Sequence, residues 1–241
     1  MKTTAFIVAA LVGLVMVTPA TAQSRDIDLK AADGVTLRAT YSSPGRSGPG
    51  MLLIHQCNMD RTSWSGVSAA LVEAGVHVLT MDLRGFGDSG GEGMSAGFPQ
   101  LMQKSPADVD MALAYLVAQS GVDGSRVGVG GASCGAMLTA DLATRNNAVK
   151  TLMLLSGPPS AAAIKHIADT PELAFFGAAA EDDRVIAGVA GVIKGAADGS
   201  KHPRSMTKVF GGTEHGLPMF EANPGFEPEL LDWLTTQLTS N

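Results

Sequence analysis

Apolar residues in this chain fall in short, nearly unbroken runs separated by Gly-, Ser- and Pro-rich stretches. The runs at 51–55, 76–81, 127–130, 151–155, 173–176 and 206–210 lack the alternation of a half-exposed strand. They predict strands buried on both faces, the habit of a parallel sheet. Helical patterns lie between and after them. One spans 62–74 and stops at Gly75, another spans 134–144, and a last one spans 226–238. A further helix is predicted from Ser105-Pro106-Ala107-Asp108, read as N-cap, first-turn proline and capping-box acid, to Gln119 before Ser120-Gly121. Near the start, 25–30 and 36–41 flank Asp33-Gly34, a hairpin-turn dipeptide.

The order of elements predicts an α/β domain over 23–241: a mostly parallel central sheet, an N-terminal antiparallel hairpin, and helices on both faces. The segment between Leu155 and Leu173 is too short for a sizeable lid domain. Residues 1–22 are expected to stand outside this domain. Lys2, an apolar run over 5–17 and Pro19-Ala20-Thr21-Ala22 read as a secretory signal peptide cleaved before Gln23. The apolar run is short for a membrane span, so the expectation is an exported, periplasmic or secreted protein without stable membrane insertion.

Charge narrows the partners. With 17 basic and 23 acidic side chains the net charge is −6, and no Lys/Arg cluster offers a footprint for nucleic acid or an anionic membrane. Two cysteines, Cys57 and Cys134, are too few for a disulfide framework, so the core must carry the fold. The five histidines are scattered with no metal-ligand spacing, and no metal or cofactor is expected. Gly85, Gly87 and Gly90 match a dinucleotide fingerprint in form, but the glycines run on to Gly97 where a phosphate-binding helix would have to begin. Trp64 reads as core or pocket wall.

The chemistry centres on "GGASCGA", residues 130–136. Strand, sharp turn and helix make a nucleophile elbow, in which small residues two before and two after the nucleophile let strand and helix approach. In the Ser133 frame those positions are Gly131 and Gly135; in the Cys134 frame they are Ala132 and Ala136. Glycine spacing favours Ser133.

"RVGVGGASCGA", "HQCNMDRTSW", "MDLRGFGDSGG", "AEDDRV" and "TEHG" occur in the order of the α/β-hydrolase fold. Over essentially the whole of 23–241 the chain resembles the compact branch of that superfamily related to dienelactone hydrolases and small esterases. The resemblance implies a triad in the order nucleophile, acid, histidine. Ser133 is then the nucleophile and His215, in "GGTEHG", the base. The acid falls among Glu181, Asp182 and Asp183, with Asp183 preferred over Asp182. The resemblance also implies an oxyanion hole formed by the backbone N–H of Cys134 and a donor after the third strand, Gln56 or else Cys57. Loops sharing one oxyanion lie close, so Cys57 and Cys134 are candidates for a disulfide in an oxidising compartment; the alternative is two buried small hydrophobes. His55 is expected to be a structural hydrogen-bonder, His77 a core residue, and His166 and His202 surface positions.

These residues imply an exported serine hydrolase acting on a small carboxylic ester or lactone through an acyl-enzyme. Two alternatives stay open: a dienelactone-hydrolase-type enzyme with Cys134 as nucleophile, and a non-catalytic binding protein on the same fold. A peptidase would call for more gating structure around the site than this chain provides.

Overall fold

The structure, a computed structural model, describes residues 22–240. The expected leader, apart from Ala22, lies outside the described residues. Eight strands form one sheet: β1 (Gln23–Lys30), β2 (Thr36–Ser43), β3 (Gly48–Ile54), β4 (His77–Met81), β5 (Val122–Ala132), β6 (Val149–Leu155), β7 (Ala174–Ala180) and β8 (Met206–Phe210). Their spatial order is β1-β2-β4-β3-β5-β6-β7-β8. The pairs β1/β2 and β2/β4 are antiparallel, and every later pair is parallel. The expected hairpin and parallel sheet are both present.

Among the described residues, seven α-helices pack around the sheet: α1 (Ser65–Glu73), α2 (Phe98–Val117), α3 (Cys134–Arg145), α4 (Ala161–Asp169), α5 (Val189–Gly199), α6 (Met219–Ala222) and α7 (Phe226–Thr239). Alternate residues of one strand serve two cores. Leu52 and Ile54 of β3 join Val109 and Leu113 of α2 and Leu138 of α3 on one face. Met51 and Leu53 join Trp64, Leu71 of α1 and Leu230 of α7 on the other. Both faces are therefore apolar, which explains the unbroken runs.

Several elements differ from the pattern, among them β5, which starts at Val122, and β7, which runs on to Ala180. Helix α2 begins at Phe98, with Pro99 in its first turn, so Ser105 and Pro106 lie inside the helix. Asp108 is not a capping acid: it is buried and binds the Arg84 guanidinium through both oxygens, at 2.7 and 2.8 Å. Helices α4 and α5 occupy segments with no expected element, where short alanine- and glycine-rich stretches carry few large apolar residues. Helix α4 is all the regular structure between β6 and β7, and no lid domain stands there. Among the described residues, no helix is long and apolar enough to cross a membrane.

Strands β3 to β8 run parallel, so their C-terminal ends share one edge of the sheet. Loops after such ends are where α/β sheets assemble sites.

Candidate active site

Ser133 stands between β5 and α3 with φ 53° and ψ −120°, a conformation that L-residues rarely adopt. Tight packing holds it there. Its N–H donates to the Leu155 carbonyl at 2.7 Å. A Cβ at residue 131 would strike the backbone of Gly135 and Ala136, and one at 135 would strike the carbonyls of Ile54 and His55. The glycine spacing seen in the sequence is thus a steric requirement of strand, turn and helix meeting at this point.

The same close approach brings the loop after β3 beside the start of α3. Cys57 and Cys134 are joined by a disulfide, with Cα atoms 5.9 Å apart. Cys134 is 1% exposed and its sulfur is bonded to Cys57, so it presents no thiolate for attack. The bonded sulfur weighs against the cysteine-nucleophile alternative. The Cys134 N–H opens α3, where the first amides have no intrahelical acceptor. The Gln56 N–H lies on the facing loop and donates to no loop carbonyl among the described residues. The Gln56 side chain is buried, and its Oε1 accepts the Leu217 N–H at 2.9 Å.

His215 lies in the loop after β8. Its Nε2 is 2.7 Å from Ser133 Oγ, and its Nδ1 is 2.8 Å from each Asp183 oxygen. A carboxylate can only accept, so Nδ1 carries the proton and Nε2 offers a lone pair to the serine hydroxyl. Asp183 follows β7 and is buried, whereas Glu181 and Asp182 point to solvent. Its Oδ1 also accepts the N–H groups of Val185 and Ile186, both at 2.9 Å. Burial would raise the Asp183 pKa; the Ile186 N–H, His215 and the Val185 N–H outweigh it and hold the carboxyl below its ordinary value. The carboxylate thus stays charged beside the imidazole.

The other histidines are elsewhere. His55 is fully buried; its Nε2 accepts the Leu83 N–H and its Nδ1 donates to the Gln56 carbonyl. His77 is buried between the Tyr41 hydroxyl and the Arg46 carbonyl, and His166 and His202 are partly exposed. Two features had no signal in the pattern. One is the Gln56 side chain. The other is the pair Ser156-Gly157: Ser156 holds φ 51°, and Gly157 packs against the Ser133 carbonyl so closely that a Cβ would collide with it.

Comparison with known proteins agrees with this architecture. A family model described as serine aminopeptidase, S33, matches residues 50–188. An uncharacterized protein of Mycobacterium tuberculosis is 32% identical over 123 residues, which are 50% of this chain and 41% of that protein. The chain therefore spans less than half the length of the curated relatives it matches. Among solved structures, the Pyrococcus furiosus esterase Pf2001 superposes with a TM-score of 0.70 at 18% identity, over 90% of this chain and 94% of that one. A cold-adapted esterase from an Arctic intertidal metagenomic library gives 0.65 at 20%, over 91% and 95%. Acetyl xylan esterase 1 from Thermoanaerobacterium gives 0.66 at 16%, over 90% and 84%. At such identities the likeness is one of fold. A sheet ordered in this way, an elbow serine at its C-terminal edge and a family match over more than half its length place the chain in the serine aminopeptidase S33 family, on the α/β-hydrolase fold.

Proposed function

We propose that this protein is an exported serine hydrolase that cleaves a small carboxylic ester or lactone, with Ser133 as nucleophile, His215 as base and Asp183 as the orienting acid. The observation that carries the reading is the unbroken chain of short contacts from Ser133 Oγ through both His215 nitrogens to Asp183. His215 Nε2 takes the hydroxyl proton as Oγ bonds to the substrate carbonyl carbon. The negative charge on the carbonyl oxygen is met by the N–H groups of Cys134 and Gln56. When the C–O bond breaks, the Nε2 proton goes to the leaving alcohol. Water, deprotonated by the same nitrogen, then attacks the acyl-enzyme and releases the acid. The structural neighbours, which are esterases, support the substrate class. The leader-like residues 1–22 support export, and the disulfide fits an oxidising compartment.

The family description favours a second reading, an aminopeptidase. The described residues around the site include no lid domain that would gate a peptide. A fluorophosphonate probe should label one peptide containing Ser133, and Ser133→Ala should abolish both labelling and hydrolysis of p-nitrophenyl acetate. Folded protein that resists the probe would favour a binding protein. Turnover of aminoacyl nitroanilides but not of aryl esters would favour the peptidase.

A further inference from the structure

The base follows an edge strand. Strand β8 is one of the two sheet edges, paired only with β7, and its residues are half-buried or exposed. Its following loop is anchored at two places. Before His215, the N–H groups of Asp182 and Arg184 donate to the carbonyls of Gly212 and Thr213. After it, the Leu217 N–H donates to Gln56 Oε1, across 161 residues of sequence. The first anchor is supplied by the acid loop and the second by a side chain of the proposed oxyanion loop.

That second anchor has the marks of a built contact. Gln56 is 3% exposed, and its Nε2 donates to Asn58 Oδ1 at 2.8 Å, which orients the amide with Oε1 toward Leu217. Gly216 holds φ +71°, and a Cβ there would strike Gln56 Oε1. The chain thus turns tightly around the amide directly after the base. Next to it, Cys57 is bonded to Cys134. Residues 56 and 57 are therefore tied to the base loop by an amide and to the elbow by sulfur.

We propose that the Gln56 side chain is a positioning residue that holds His215 in register with Ser133 and the oxyanion donors, separately from the role of its own backbone N–H. This rests on the hydrolase reading above. Side-chain replacement leaves the backbone donor in place, so the two roles can be separated. Gln56→Met keeps the volume but loses the acceptor. Gln56→Glu keeps the acceptor, and Asn58 can rotate its amide to present N–H to the new carboxylate.

The test is steady-state hydrolysis of p-nitrophenyl acetate together with hydrogen exchange at the Leu217 amide. Gln56→Met should lower kcat about ten-fold or more with KM nearly unchanged, since misplacing a catalytic group by about 1 Å costs up to about a hundred-fold. Exchange at Leu217 should rise while β3 stays protected. Gln56→Glu should restore protection of the Leu217 amide. Asn58→Ala, at an exposed position, should lower kcat about three-fold, the worth of one ordinary hydrogen bond, and it serves if Gln56→Met fails to fold. Wild-type kcat in Gln56→Met or, should that not fold, in Asn58→Ala overturns the proposal, as does unchanged Leu217 exchange. A wild type that neither turns over nor takes the fluorophosphonate label overturns the hydrolase reading instead, and Leu217 exchange still reports on the anchor.

Discussion

Ser133 holds its half-buried position at the strand end on a strained backbone, and the residues that hold the strain are small because nothing larger fits. A methyl group at 135 would lie against two carbonyl oxygens of β3's end, Ile54 and His55, which cannot retreat without moving the central strand. Gly135→Ala should therefore destabilise the fold by about 4 kcal/mol, at the upper end for single substitutions, or give no soluble protein. Gly191→Ala is the matched control. It lies in α5, a Cβ there meets nothing within 4 Å, and helix propensity alone should stabilise by about 0.5–1 kcal/mol. Urea titration of both variants checks the pair. Equal midpoints would mean that steric exclusion at the elbow is not what the glycine provides.

At the scale of elements, the strands were legible because burial on both faces leaves a continuous apolar run. Helices α4 and α5 were not: "AAAIKHIAD" and "VAGVIKGAADG" do carry an apolar stripe, but it is short and built largely of alanine, with few large side chains such as Ile167 and Ile193 to mark it. Ser105-Pro106-Ala107-Asp108 has the form of a helix start, but a tertiary partner decides: Arg84 claims Asp108, and the helix begins a turn and more earlier. In the site, the glycine spacing pointed to Ser133 and the flanking motif to His215, both local signals. Whether Asp182 or Asp183 faces inward depends on a turn that no local pattern specifies. The Gln56–Leu217 contact joins residues too distant in sequence to leave any mark. The disulfide is the longest-range covalent tie between elements, linking the loop after β3 to the start of α3 across 77 residues. On the chain-entropy model such a link contributes about 4 kcal/mol by restricting the unfolded chain. The Cys57→Ala/Cys134→Ala double variant should lose stability of that order in urea titration, matching wild type titrated with reductant present. A loss under about 1 kcal/mol would show that the link adds little to a core already closed on both faces.

The whole molecule couples its stability to the site through a buried histidine. His55 lies at the end of the central strand, fully buried, and joins two loops of the site edge: Nε2 accepts from Leu83 after β4, and Nδ1 donates to the Gln56 carbonyl. A second proton would have to go on Nε2, facing an N–H that already points there. Burial lowers the His55 pKa from its ordinary 6.5, only partly offset by the Gln56 carbonyl, Asp82 and Asp60. Burial lowers that of His77 too. The sign follows from linkage. Well above pH 6.5 both folded and unfolded chains are neutral at these positions, and the two histidines add no pH dependence to stability. As pH falls below 6.5 the unfolded chain takes up protons that the fold refuses, and stability is lost down to the folded pKa, at up to about 1.4 kcal/mol per pH unit for each histidine. The Asp183 contribution is lost only at lower pH, below the ordinary carboxylate value of 3.8, because its pKa is depressed. Denaturant titrations between pH 7.5 and 5.5 should therefore show a falling stability, and a His55→Gln variant, whose amide can serve both partners without titrating, should fall less steeply. Identical slopes for the two proteins would place the acid sensitivity elsewhere.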